Sequence, residues 1–333
     1  MNKALLGFLI ATVYAVSAVP VNSVNSEDLA YQQLFAASEN AEVMDAIVTD
    51  EDVDDEALED AASKNLYLLY TRRNPTDAQV LKIDDKNSIK KSYFKSSKPT
   101  VVIAHSWLGT ENTEMNVVIR DVFLAKEDVN VIILDWRTLA LSNYVTAARG
   151  VTVVGRGLGE FLAFLSKVSG QKPKKFHLIG FGLGAHLVGN AGRELNGKVA
   201  RITALDPSGP LFNFNSNRIS PDDAIYVEAI HTDGDTLEGL GLGSDVGNAN
   251  FYVNGGNSQP GCLTQICNHN RAWRIFAATV TYDHLSGNEC ANSLQVTLNR
   301  CRGDALALGN GDLTKSVEGV KKFRANTRIL YPY

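Results

Sequence analysis

The chain has 333 residues, 44% of them hydrophobic and 21% charged, which is typical of an ordinary globular protein with enough material for a large core. Its formal net charge of −5 conceals two opposite segments. Residues 19–63 contain 13 Asp and Glu and no Lys or Arg, whereas the body from Lys64 onward carries a net charge near +7. This split excludes a uniformly acidic protein, and the overall pI is therefore no evidence about partners.

The first residues have the form of a secretion signal. Lys3 provides a positive charge, Ala4 to Val16 form an apolar stretch, and Val16-Ser17-Ala18 gives a small-residue cleavage pattern. An apolar stretch of 13 residues is too short to cross a hydrocarbon layer of about 30 Å as a helix. We therefore predict a signal peptide at residues 1–18 and a secreted, extracellular protein.

The acidic segment at residues 19–63 differs from the rest of the chain. It contains a helical-looking stretch at Leu29 to Ala37, but it ends in a run of like charges from Asp50 to Asp60. Because such a run repels itself, it favours a solvated state over a packed one. The pattern predicts a flexible acidic arm at residues 19–63 and a single domain at residues 64–333.

Short apolar runs alternate with helical patterns from Leu66 onward. This alternation favours an α/β fold, with a mostly parallel sheet that is covered by helices on both faces. We predict strands at Leu66 to Tyr70, Val101 to Ala104, Val131 to Leu134, Phe176 to Ile179, Arg201 to Leu205 and Ile225 to Ile230. We predict helices at Val151 to Val168, Ala185 to Leu195 and Arg271 to Val280.

The segment Phe176 to Leu187 (FHLIGFGLGAHL) combines a strand, a glycine-rich turn and a helix. This is the context of the nucleophile elbow G-x-S-x-G, and Gly180, Gly182 and Gly184 occupy its three fixed positions. Glycine adopts the strained backbone of the middle position at no steric cost, so the geometry is kept while the hydroxyl is absent. A dinucleotide-binding loop is the alternative, but the spacing does not fit G-x-G-x-x-G and no lysine follows as in a P-loop.

The sequence around this turn resembles the pancreatic lipase family, especially its insect neutral lipase and phospholipase A1-like members. The similar segments are IGFGLGAHLVGNAGRELNGKVARITALDPSGPLF, VVIAHSWLG, YVEAIHTDGD, FYVNGGNSQPGC and CNHNRA. Together they extend from about residue 66 to about residue 302. The resemblance implies an α/β-hydrolase fold. Fly yolk proteins, which also lack the serine, are similar too.

The resemblance implies roles for five positions. Asp206 matches the acid of the catalytic triad, His269 matches its base, and Gly182 matches the nucleophilic serine. Trp107 and Leu183 match the two positions whose backbone N–H groups form the oxyanion hole. Without a hydroxyl at residue 182 there is no group to acylate, so we expect that hydrolase activity is lost. Weak hydrolysis by water that Asp206 and His269 activate is the alternative. Taken without the resemblance, these two residues could be an ordinary turn residue and a helix-start histidine.

Four cysteines lie in the last quarter of the chain, at Cys262, Cys267, Cys290 and Cys301. An even number in a secreted chain favours two disulfides over a zinc site, although three pairings are possible. In the resembling lipases one disulfide closes a lid over the active site. The corresponding loop here, between Cys262 and Cys267, has only four residues, which implies a short lid. Few residues follow Cys301, so we expect no C-terminal β-sandwich domain.

The expected ligand is a lipid or an apolar ester in the former acyl cleft, and a yolk-like storage role is a further alternative. No cofactor, metal or nucleic-acid partner is expected. Some family members bind calcium near residues 218–223, but Ser220 stands where a carboxylate would be needed. A group of lysines in the body is a candidate for peripheral contact with an anionic membrane surface. The competing interpretation is that these lysines only form a solvent-exposed face. These lysines are Lys90, Lys91, Lys95, Lys98, Lys172, Lys174 and Lys175.

Overall fold

The structure is a computed structural model, and it describes residues 54–234 and 239–333. The predicted signal peptide, the helical-looking stretch at Leu29 to Ala37 and most of the acidic arm lie outside these residues. Within the described ranges, no helix is both long enough and apolar enough to cross a membrane.

Eleven strands in the described part of the chain form one sheet. All six predicted strands are confirmed, with ends that shift by two residues or fewer. The strands are β1 (Leu66–Tyr70), β2 (Gln79–Leu81), β3 (Thr100–Ala104), β4 (Asn130–Asp135), β5 (Phe176–Phe181), β6 (Arg201–Leu205), β7 (Val227–His231), β8 (Ala249–Val253), β9 (Ser286–Cys290), β10 (Ala305–Ala307) and β11 (Lys321–Ala325).

The order of the strands is β10-β9-β11-β8-β7-β6-β5-β3-β4-β1-β2. From β11 to β4 each strand is parallel to its neighbour, and antiparallel pairs extend both edges. This confirms the predicted α/β-hydrolase fold with a mostly parallel sheet. The edge strands β2, β9 and β10 were not predicted, because two of them have three residues and β9 reads SGNEC, without apolar alternation.

Helices cover both faces of the sheet. The helices of the described residues are α1 (Asp55–Ser63), α2 (Lys86–Lys90), α3 (Glu114–Lys126), α4 (Arg137–Ala140), α5 (Tyr144–Ser169), α6 (Leu183–Glu194), α7 (Gln265–Tyr282) and α8 (Ser293–Thr297). Val102 of β3 is buried in the layer that contains α5 and α6, while Val101 and Ile103 are buried in the opposite layer with α3 and α7. This division follows from the alternation of side chains along a strand.

All three predicted helices begin earlier than the sequence pattern indicates, α6 by two residues and the other two by six or seven. Helix α5 begins seven residues before Val151 because the Asn143 side chain caps it, accepting the Thr146 N–H at 2.9 Å. Helix α7 begins six residues before Arg271, where the Thr264 hydroxyl accepts the Cys267 N–H at 3.2 Å. The earlier start of α7 places residue 269 inside the helix, near its N-terminus.

Helix α1 belongs to the segment that was predicted as a flexible arm. Its N-terminus is capped by Asp54, and Leu58 is buried in the core layer that contains α5. Glu59 forms an ion pair with Arg156 of α5. The end of the acidic segment therefore contacts the body, and the separable arm predicted at residues 19–63 stays a prediction.

Candidate functional site

Strand β5 passes into helix α6 through a sharp turn at Gly182. The backbone there has φ +54° and ψ −117°, a region that residues with a side chain rarely adopt. Gly184 allows a close approach of α6 to β3, because a Cβ at this position would lie 2.3 Å from the Ala104 carbonyl oxygen. The segment thus has the strand–turn–helix geometry of a nucleophile elbow, with glycine at its middle position.

Asp206 and His269 are joined at this turn by a hydrogen bond of 2.6 Å between Asp206 Oδ2 and His269 Nδ1. Asp206 directly follows β6, whose Leu205 is paired with Phe181 of β5, so it leaves the sheet beside Gly182. Its Oδ1 accepts the backbone N–H groups of residues 232 and 233 at 2.7 and 3.0 Å. Because an ionised carboxylate oxygen only accepts hydrogen bonds, Nδ1–H is the donor of this bond, and Nε2 is the ring nitrogen that faces the turn.

The His269 ring lies between the turn and helix α7. Its Nε2 lies 3.2 Å from the point that a Cβ on Gly182 would occupy. The Phe181 ring packs against it, with ring centroids 4.4 Å apart. Both residues are buried: His269 is 1% exposed and Phe181 is 6% exposed. The structure therefore brings together Asp206, His269 and Gly182, as the sequence predicted, although their roles stay a prediction.

Ser106, which the sequence analysis did not single out, lies at the centre of this arrangement. A Cβ on Gly182 would be 2.1 Å from Ser106 Oγ, so this hydroxyl fills the space of the missing side chain. Ser106 Oγ also accepts the Leu183 backbone N–H at 3.2 Å. The sequence does contain a signal for this residue. Esterases have glycine after the histidine of an H-G-G-G-type loop, whereas this chain has Ser106 after His105.

The loop that carries Ser106 and Trp107 is fixed to its surroundings. The Trp107 indole N–H donates to the Ser142 carbonyl at 2.8 Å, and the Leu108 N–H donates to the Ala140 carbonyl at 2.8 Å. Leu108 has φ +61°, which marks a tight left-handed turn directly after the predicted oxyanion-hole residue. The same loop contacts the start of α6 through the hydrogen bond from the Leu183 N–H to Ser106 Oγ.

Gly241 is a second residue that the sequence analysis did not assign to the site. A Cβ here would lie 2.5 Å from Asp206 Oδ2, so only glycine permits the loop to pass this close to the carboxylate. The neighbouring Leu240 N–H donates to the Asp233 carboxylate at 2.9 Å, which anchors the loop. The excess of glycine between residues 233 and 250 was the available signal.

The cysteines pair with their nearest neighbours in sequence, as Cys262–Cys267 and Cys290–Cys301. This selects one of the three pairings that the sequence left open. The first disulfide closes a loop that leads directly into α7, and Leu263 within this loop is 99% exposed. The short loop therefore extends into solvent instead of folding onto the body.

The region around Ser220, where a calcium site was considered, contains an ion pair. Asp223 accepts two hydrogen bonds from the Arg193 guanidinium, at 2.9 and 3.0 Å. It also accepts the Ser220 N–H at 2.9 Å. Across residues 54–234 and 239–333, no three His, Cys, Asp or Glu side chains are grouped so as to hold a metal ion.

Helix α6 also carries a buried histidine next to the elbow. His186 Nε2 donates to the Ser208 carbonyl at 2.9 Å, and its Nδ1 accepts the Ile219 N–H at 3.2 Å. Burial lowers the pKa of His186 to about 3. The ring is therefore neutral and acts as a fixed bridge between α6 and two loops.

An apolar groove of about 1080 Å³ lies beside the C-terminal residues of the chain. Its lining includes Leu285, Ile329 and Tyr331, and contains neither Gly182 nor His269. This apolar groove is therefore distinct from the predicted acyl cleft.

Comparison with known proteins finds similar sequences among lipases and a similar fold among esterases. A sequence profile of the family described as Lipase matches residues 27–307. Human pancreatic triacylglycerol lipase is 36% identical over 262 residues, which cover 71% of this chain and 56% of the relative. Rat pancreatic lipase-related protein 2 is 33% identical over 260 residues, which cover 71% and 56%. The chain thus spans about half the length of these curated relatives. Among solved structures, an esterase from Pyrococcus furiosus is 19% identical, with a TM-score of 0.32 over 42% of this chain and 63% of that one.

Proposed function

This chain belongs to the pancreatic lipase family, and we propose that it is a lipase-like protein that has lost acyl transfer at position 182 and binds a lipid or an apolar ester in the former acyl cleft. The observation that carries the proposal is the glycine at the middle of the elbow, beside the bonded pair Asp206–His269. The triad mechanism needs an oxygen nucleophile at this position, whose proton the histidine removes. Glycine has no such group.

Lipid binding is best tested on the protein as it is produced. We expect organic extraction of the purified protein, followed by mass spectrometry, to release about one lipid per chain. A storage protein whose cleft is filled by its own side chains releases none. That second result contradicts the binding proposal.

The place of binding needs a separate measurement, because the C-terminal groove is a competing apolar surface. A fatty acid that carries a photoreactive diazirine is expected to crosslink to peptides containing Trp107, which follows Ser106, or Phe181, whose ring packs against His269. Crosslinks confined to peptides containing Ile329 would assign binding to the groove instead.

Weak ester hydrolysis is the second candidate function, favoured by the 2.6 Å bond between Asp206 and His269. A histidine oriented in this way is equipped to act as a general base. We expect slow turnover of p-nitrophenyl butyrate that disappears in His269→Ala. The control is His284→Ala, which removes an exposed histidine outside the site. Equal loss in both variants would contradict a role for His269.

We also propose that the protein is secreted after cleavage near Ala18. Two disulfides support an oxidising compartment. N-terminal sequencing of protein recovered from the medium of expressing eukaryotic cells is expected to begin near Val19. Retention of the full chain inside the cells contradicts this proposal.

A further inference from the structure

We infer that Ser106 has taken over the position of the missing nucleophile, and that its hydroxyl accepts the acyl group of an ester with His269 as the base. The inference rests on the proposed binding of an ester in the cleft. It assigns to this chain a nucleophile that comes from the oxyanion-hole loop and not from the elbow.

The sheet register places Ser106 beside Gly182. Strands β3 and β5 are parallel neighbours, and Ala104 is paired with Gly180. Two residues beyond this pair, residues 106 and 182 lie just past the ends of the two strands, at the same edge of the sheet. A serine at either position therefore places its hydroxyl in the same space.

The distances agree with an exchange of the two residues. The Cβ position of residue 182 lies 2.1 Å from Ser106 Oγ and 3.2 Å from His269 Nε2. The hydroxyl of Ser106 and the base are thus both next to the point from which the family's serine would project. The lost serine at 182 and the serine at 106 occupy one site.

The surroundings favour negative charge on Ser106 Oγ. The Leu183 N–H donates to this oxygen at 3.2 Å, and Leu183 is the first residue of the 12-residue helix α6. Helix N-termini stabilise anions, because their N–H groups point toward the charge. As the proton passes to His269 during attack, the same N–H stabilises the negative charge that Oγ gains before its bond to carbon is complete.

The reaction follows directly from these contacts. Ser106 Oγ bonds to the carbonyl carbon of the ester as its proton passes to His269 Nε2, and the bond to the alcohol oxygen then breaks. The alcohol leaves with the proton from His269. In the second half, water gives a proton to His269 and its oxygen bonds to the acyl carbon. The acyl–Ser106 bond breaks and the proton returns to Oγ, so atoms and charge balance.

We expect this acyl transfer to be slow compared with that of a lipase. The Leu183 N–H that the family uses for the acyl oxygen is engaged by Ser106 Oγ in the resting state. Loss of one oxyanion-hole donor reduces kcat by about 10²–10³-fold. Acylation by an activated reagent is therefore the more sensitive measurement.

The test uses a biotinylated fluorophosphonate and full-length protein, followed by peptide mapping. We expect one adduct on Ser106, which is absent in Ser106→Ala, and labelling slower by about 10²–10⁴-fold in His269→Ala. The matched control is Ser208→Ala, since Ser208 and Ser106 are both 5% exposed. This variant is expected to be labelled like the wild type.

Two further readouts separate chemistry from folding. Ser106→Cys keeps a nucleophile and is expected to be alkylated by iodoacetamide at residue 106, faster than in the same variant with His269→Ala. Ester turnover that persists in Ser106→Ala overturns the inference and leaves the water mechanism. An adduct elsewhere, or none, also overturns it. If fatty-acid crosslinking at Trp107 persists in that case, only the nucleophile is wrong; if crosslinking fails too, the proposed function is wrong.

Discussion

Gly182→Ser is expected to destabilise this protein instead of repairing it. A Cβ at residue 182 would lie 2.1 Å from Ser106 Oγ and 2.9 Å from Ser106 Cβ, both closer than real Cβ atoms come to their neighbours. Such overpacking costs about 1–3 kcal/mol. The φ of +54° adds a backbone strain of about 1–3 kcal/mol for any residue with a side chain. The single substitution should therefore lower the free energy of unfolding by about 2–6 kcal/mol.

The double variant Ser106→Gly with Gly182→Ser removes the close contact and leaves only the backbone strain. It should be less destabilised than the sum of the single variants by about 0.5–3 kcal/mol, the range of coupling between contacting residues. Urea denaturation of the four proteins measures this difference. The double variant should also turn over esters, with its fluorophosphonate adduct on residue 182 instead of residue 106. The reasoning fails if Gly182→Ser is as stable as the wild type, or if the two substitutions are additive.

Three further predictions concern the scaffold of the site. Gly184→Ala should lower the free energy of unfolding by about 3 kcal/mol, since its Cβ would meet the carbonyl oxygens at the end of β3. Gly157→Ala in α5, where the nearest atom is 3.9 Å away, should have no such effect in the same denaturation assay. Stability should fall as the pH decreases from 6.5 to about 3, because only the unfolded chain protonates His186 in this window. The slope is about 1.4 kcal/mol per pH unit, and a pH series that is unchanged in His186→Gln would disprove the assignment. Glu228→Gln should cost about 3–5 kcal/mol, because Glu228 forms buried ion pairs with Arg201 and Lys315. A loss below 1 kcal/mol in thermal or urea unfolding would contradict this.

The sequence by itself determined the fold class and pointed to Gly182, Asp206 and His269 as candidate site residues. Short, fully apolar runs such as residues 131–134 are typical of strands that are covered on both faces, and their alternation with helical patterns predicts a parallel sheet. The glycines at 180, 182 and 184 identified the elbow, because close packing and a positive φ leave little choice of residue. Asp206 and His269 were found through the family resemblance, since neither has a local signal of its own.

Only the tertiary structure decided which residue fills the space at Gly182. Ser106 and Leu183 are 77 positions apart, and nothing in either local segment reports their contact. The contact arises because β3 and β5 lie side by side with Ala104 opposite Gly180, so that the two chains leave the sheet together. The sequence showed a missing hydroxyl at residue 182. The register of two neighbouring strands supplies another hydroxyl at that position.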